Sequence, residues 1–208
     1  MPATQSCGEA IAQLLHDNGV KYIFGQPGGE VVELMEALHG KGVTFVLTGH
    51  ESTAAFMAGT IGRMTGIPGA CLATLGPGAC NLVLGVASAY LDRDPLLAFS
   101  ARTATDRSHL SNKQNLPLND LFAPITKWSV ALDGGATAHT IQESVRIATT
   151  PPRGPVYLSI PSNMAGETDR PGDTPPSSPT LPEPDDRAFE TIAKTLNTAR
   201  KPIGVIGI

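Results

Sequence analysis

Short, largely apolar runs alternate with stretches of helical periodicity over most of the chain, and this alternation limits the possible folds more than any other feature. Residues 20–24, 43–47, 70–74 and 95–100 have strand length and little polar alternation, as strands covered on both faces do. Between them, residues 6–18, 30–38, 52–64 and 77–90 read as helices. Ile11, Leu14 and Leu15 share one face of the first, and Val31, Leu34, Met35 and Leu38 one face of the second. Residues 125–130, 137–148 and 155–160 add a strand, a helix and a last strand. Strands and helices joined by short turns predict an α/β fold of three layers, αβα, with a mostly parallel central sheet. Residues 102–119 carry no clear period and read as a long loop with room for a short helix. Ordered loops of that length often carry function.

The 208 residues suffice for one full-sized domain with its own core. Composition shifts at residue 165: as far as 184, prolines and serines cluster and large apolar residues nearly vanish, the signature of a semi-extended linker. A helix over 185–198 then leads into Ile203-Gly204-Val205-Ile206-Gly207-Ile208, which reads as the first strand of another domain. The expected organisation is a domain over 1–164, a linker over 165–184 and the start of a truncated central domain over 185–208. A lone strand cannot bury itself, so the sequence reads as a piece of a longer protein. Net charge is -4, with no Lys/Arg run and few aromatics, which argues against nucleic acid as a partner. The uncharged stretch 66–91 could span a membrane by length, but Gly76, Pro77, Gly78 and Asn81 divide it into a strand and a helix. The first residues have neither the basic nor the apolar part of a signal peptide. Cys7, Cys71 and Cys80 form no C-x-x-C pair and read as small buried hydrophobes of a reducing compartment, the cytoplasm.

Candidate chemistry concentrates between Thr48 and Asn81, where Glu51 is the only acid. Two readings of Glu51 stand side by side. Thr48-x-x-Glu51 matches a capping box, with Thr48 as the cap and Glu51 bonded back to it. Alternatively, Val43, Phe45, Val46 and Leu47 before it and Ala54, Ala55, Phe56 and Ala58 after it desolvate a carboxyl suited to acid–base work. The glycine turns at 25–29 and 76–78 each follow a strand and open a helix, at the carboxyl edge where open parallel sheets take ligands. Gly76-x-Gly78-x-x-Asn81, with Asp92 or Asp94 downstream as a ribose ligand, is close to a dinucleotide fingerprint. Against that, Asn81 replaces the third glycine and Pro77 removes a backbone N–H. Ala54, Ala55, Ala58, Gly59 and Gly62 give the helix over 52–64 a face of small residues, which either packs within the chain or forms a subunit interface. His50 reads as a structural neighbour of Glu51, and Gln114 as a loop residue able to reach a ligand. The remaining histidines are scattered without metal-ligand spacing.

Taken in order and spacing, Phe24-Gly25-Gln26-Pro27-Gly28-Gly29, His50-Glu51, Gly76-Pro77-Gly78-Ala79-Cys80-Asn81, Ile125-Thr126-Lys127 and Arg153-Gly154-Pro155-Val156 form a specific set. The set resembles the N-terminal pyrimidine-binding domain of thiamine-diphosphate enzymes, most closely the acetolactate synthase group, over residues 6–164. The resemblance implies the thiamine-diphosphate-binding fold. It makes Glu51 the glutamate that hydrogen-bonds N1′ of the cofactor's aminopyrimidine and so activates it. It further implies Glu51 and Gln114 as catalytic residues, and Pro27, Gly28, Glu51, Thr74, Gly76, Pro77 and Asn81 as cofactor contacts. The implied activity is that of a carboligase or decarboxylase of 2-keto acids, a transferase or lyase. In the family the diphosphate and its magnesium sit on a separate domain, usually of the partner subunit, through a Gly-Asp-Gly motif. That implies a homodimer or homotetramer. Gly172-Asp173-Thr174 lacks the second glycine, so no metal ligand is expected in this sequence, and the piece alone is expected to be inactive. FAD is a further cofactor option for the full-length protein, through domains not in this sequence. The family's Phe-Gln-Glu in the long loop is here Lys113-Gln114-Asn115. This departure leaves donor and acceptor open, with an oxalyl- or 2-hydroxyacyl-CoA lyase or a dinucleotide-binding domain as the alternatives.

Overall fold

The structure, a computed structural model, describes residues 5–107, 109, 114–170 and 185–204. Residues 171–184 of the expected linker, 205–208 of the expected last strand, and Asn112 and Lys113 of the long loop lie outside the described residues. The chain divides into two units, Met1–Pro176 and Ser177–Ile208.

The first unit opens with α1 (Cys7–Asp17), whose start is closed reciprocally. The Ser6 hydroxyl accepts from the Glu9 N–H at 3.1 Å, and the Glu9 carboxylate accepts from the Ser6 N–H at 2.9 Å. There follow β1 (Tyr22–Gly25), a 3-10 turn (Gly29–Val31) running into α2 (Val32–Gly40), β2 (Thr44–Leu47), α3 (Glu51–Thr65) and β3 (Gly69–Ala73). The helix expected over 77–90 is two helices, α4 (Pro77–Asn81) and α5 (Val83–Asp92), separated at Leu82. Then come β4 (Leu96–Arg102), a short α6 (Leu118–Phe122), β5 (Trp128–Ala131), α7 (Thr137–Thr149) and β6 (Pro155–Pro161). β5 starts later than the expected residue 125 because Ala123–Ile125 forms a 3-10 turn. All six strands are parallel, in the order β2-β1-β3-β4-β6-β5.

Side chains alternate across this sheet into two cores. Ile23, Leu72, Leu97, Phe99, Val156 and Leu158 point to α1, α2 and α7. Phe24, Cys71, Ala98 and Tyr157 point to α3, α5 and α6. The first face is rich in large aliphatics; the second is rich in alanine, so its helices lie closer to the strands. The stripe on α3 decides that distance. Ala54, Ala55, Ala58, Gly59 and Gly62 are all buried within the unit. A methyl group on Gly62 would stand 2.1 Å from the Pro95 carbonyl oxygen, so the helix backbone packs directly on the chain entering β4. Packing within the chain therefore occupies the small-residue face, and the assembly reading of that face is corrected. Tyr157, fully buried, stacks on Phe122 with ring centroids 3.9 Å apart and shares a 2.6 Å hydrogen bond with Ser100.

The chain remains on this unit to Arg170. The Gly8 N–H donates to the Ala165 carbonyl at 2.8 Å, and bridges join Ser6 to Thr168 and Gly135 to Arg170. In the second unit α8 (Asp186–Thr198) is capped by Asp185, whose carboxylate accepts from the Arg187 N–H at 3.0 Å. Its Phe189, Ile192 and Leu196 are exposed. Among the described residues no helix is long and apolar enough to cross a membrane.

Candidate active site

β2, β1 and β3 are neighbours in the sheet, so the turns that follow them gather at one carboxyl edge. Hydrogen bonds tie the first two turns together. The Gln26 side-chain amide donates to the Thr48 carbonyl at 2.7 Å, and the Thr48 N–H donates to the Gly25 carbonyl at 3.0 Å. The Thr48 hydroxyl lies 3.2 Å from the Gly25 carbonyl and 3.0 Å from that of His50. Thr48 is therefore spent on the turn and does not cap α3, which corrects the capping-box reading. The helix begins at Glu51, and the residue before it, His50, is extended and acts as the cap: its Nδ1 accepts from the Ser52 N–H at 3.1 Å.

With the cap supplied by His50, the Glu51 side chain is free to leave the helix start. It is 9% exposed, and its Oε2 accepts from the Asn81 amide nitrogen at 3.0 Å. Its Oε1 faces Gly78. A methyl group on Gly78 would lie 3.2 Å from that oxygen and 2.4 Å from the Thr74 hydroxyl. Gly28 lies against the other side of Thr74. Gly76 has φ +60° and ψ -121°, and a methyl group there would stand 2.6 Å from the Gln114 Cβ, so this glycine lets the long loop return over the third turn.

The structure thus brings together Glu51, Gly28, Thr74, Gly76, Asn81 and the backbone of Gln114. Pro27 and Pro77 are exposed at the rim, Pro77 at the first position of α4. Gln114, itself with φ +57°, lines a cavity of about 350 Å³ with Glu30, Leu75, Thr103 and Asn163. Two participants escaped the sequence reading. Ser52 donates its hydroxyl to the Asn81 carbonyl at 2.6 Å, and Gln26 ties the first turn to the second. Ser52 belongs to no motif, and its place beside Glu51 was the only signal; Gln26 stood within the first glycine turn, but its bond to the second turn had no signal in the sequence.

The acids required by the dinucleotide reading are engaged elsewhere. Asp94, buried, pairs with Arg63 Nε at 2.8 Å, and Asp92 pairs with the same guanidinium at 2.6 Å. Among the described residues no cluster of His, Cys, Asp and Glu could hold a metal. The cysteines are free thiols, Cys7 and Cys71 buried, and burial alone pushes the Cys71 thiol far above the usual range.

Comparison with known proteins identifies the family. Residues 5–123 match the family described as thiamine pyrophosphate enzyme, N-terminal TPP binding domain. The chain belongs to that family. It is 34% identical over 203 residues to an acetolactate synthase of Bacillus subtilis, covering 96% of this chain and 35% of that protein. It is 37% identical over 163 residues to a probable acetolactate synthase large subunit of Methanocaldococcus jannaschii, covering 77% and 28%. A catabolic acetolactate synthase of Raoultella terrigena is 30% identical over 204 residues, covering 96% and 36%. The chain therefore spans about a third of the length of these relatives.

Proposed function

We propose that this chain is the N-terminal part of a thiamine-diphosphate-dependent enzyme that joins or decarboxylates 2-keto acids, with Glu51 as the residue that activates the cofactor's aminopyrimidine. The observation that carries the reading is the state of the Glu51 carboxyl. It is nearly buried, one oxygen is held by Asn81, and the other has no donor among the described residues and faces the bare edge of Gly78. The residues fit the pyrimidine half of such a cofactor: a flat ring needs a floor without side chains, and a ring nitrogen needs one oriented carboxyl oxygen. When bound, the cofactor supplies the electron sink for loss of CO₂ and for addition to a second carbonyl compound. This chain's part is to hold and exchange a proton at Glu51 Oε1, to keep water from it through the close approach of Thr74 and Gly78, and to carry Gln114 toward the substrate side.

The rest of the reading follows the family resemblance of the sequence. Diphosphate and magnesium are held by another domain, and FAD, if used, by parts outside this chain. The substrate class is a 2-keto acid. Lys113 and Asn115 in the long loop support a changed specificity, toward an oxalyl- or 2-hydroxyacyl-CoA substrate as the second reading. The free cysteines support a reducing, cytoplasmic setting. Phe56 on α3 and Leu84 and Leu91 on α5, all exposed, support a homodimer or homotetramer. In the full-length protein, Glu51→Gln is expected to lower kcat by at least about 100-fold while the circular dichroism spectrum is kept. A variant with near-normal turnover would remove Glu51 from the mechanism.

A further inference from the structure

We propose that Asn81 is a positioning residue that selects which oxygen of Glu51 works. This inference rests on the reading of Glu51 above. The helix opened by Pro77 ends at Asn81; Leu82 keeps helical dihedrals, φ -70° and ψ -23°, but its N–H donates to the Ala79 carbonyl three residues back at 3.0 Å, which breaks the regular ladder before α5 resumes at Val83. At that break Asn81 grips the first turn of α3 twice. Its side-chain amide donates to Glu51 Oε2 at 3.0 Å, and its carbonyl accepts from the Ser52 hydroxyl at 2.6 Å. The two contacts come from consecutive residues of α3 and converge on one residue across the cleft edge.

The consequence lies in the carboxyl group itself. A carboxylate on a flexible stem can present either oxygen, and its terminal torsion is soft. A fixed donor on Oε2 removes that freedom and leaves Oε1, the oxygen facing Gly78, as the one to meet a ligand. His50 contributes by taking the Ser52 N–H, so the start of α3 does not draw the carboxyl back into a capping bond. Asn81 is suited to this because its amide donates without carrying an exchangeable acid proton of its own. The family resemblance makes Asn81 a cofactor contact; the geometry instead has it act through Glu51.

Asn81→Asp keeps size and loses the donor; Asn81→Ala loses both; Ser52→Ala loosens the support only. In the full-length enzyme with thiamine diphosphate and magnesium, both Asn81 variants are expected to lower kcat by about 100-fold, the scale of a misplacement near 1 Å. KM for the keto acid is expected to change by less than about 3-fold. Ser52→Ala is expected to cost about tenfold, and decides the matter if the Asn81 variants do not fold. Deuterium exchange at the thiazolium carbon of the bound cofactor, followed by NMR, reads the activation step without turnover. It should slow in step with kcat, while cofactor affinity by calorimetry stays within about 3-fold. Exchange at the wild-type rate in the Asn81 variants, with Glu51→Gln inactive, overturns the positioning role and leaves Glu51 in place. Lost cofactor affinity with normal exchange per bound cofactor makes Asn81 a ligand and also overturns it. Normal exchange in Glu51→Gln removes the underlying reading instead. A crystal structure of Asn81→Asp should show the Glu51 carboxyl turned from its present orientation.

Discussion

Glu51 shows how a two-residue shift of a helix start changes the meaning of a residue. With the first helical residue at 49, Thr48 as the cap and Glu51 three residues on make a capping box; with the helix starting at Glu51, the cap passes to His50 and the carboxyl is released toward Asn81. Helix starts are uncertain by a residue or two from sequence, and here that uncertainty separates a structural acid from a chemical one. The candidates were legible as a group, because Glu51 is the only acid between Thr48 and Asn81, the stretch that ends in the second glycine turn. The bonds between them were not, since Ser52 reaches Asn81 from 29 positions away. Gly78 is the sharpest residue-scale test. It lies in a helix, where alanine is locally favourable. Any loss on Gly78→Ala therefore reports the space around it, which Thr74 and Glu51 border. In the full-length protein the variant is expected to bind thiamine diphosphate at least about tenfold more weakly by calorimetry, and to lose about 1–3 kcal/mol of stability because its methyl would stand 2.4 Å from the Thr74 hydroxyl.

Among the elements, α3 and α7 are held by features that the sequence displays but does not explain. The small residues of α3 were visible as a stripe, yet whether the stripe faced another subunit or its own sheet depended on where Pro95 and Gly69 would lie. Ile125-Thr126-Lys127 carried the family resemblance without a role. In the structure the Lys127 ammonium donates to the Ile147 carbonyl and, at 2.6 Å, to that of Thr150, closing the end of α7. Burial, helped by nearby Arg146, lowers the pKa of this lysine. Lys127→Met keeps the stem and removes the donors. It is expected to destabilise the domain by about 1–3 kcal/mol, read as a lower urea midpoint, with faster hydrogen exchange confined first to the last turn of α7.

For the whole molecule, the sheet is the common wall of two cores, and Phe99 at the centre of β4 is among its largest fully buried side chains. β4 pairs with β3 on one side and β6 on the other, so it joins the part of the sheet that builds the site to the part that supports it. Phe99→Ala is expected to cost about 3–5 kcal/mol. Fluorescence and circular dichroism should show one shifted transition for both halves; separate transitions would mean that the two halves of the sheet fold independently. The sequence by itself determined that this chain is a parallel α/β domain with a chemical edge, because doubly covered strands, helical stripes and glycine turns are local patterns. Only the tertiary structure decided that α3 packs inward, that the helix after β3 breaks at Leu82, and that Asn81 meets Glu51. Those outcomes depend on contacts between residues tens of positions apart, which local periodicity does not encode.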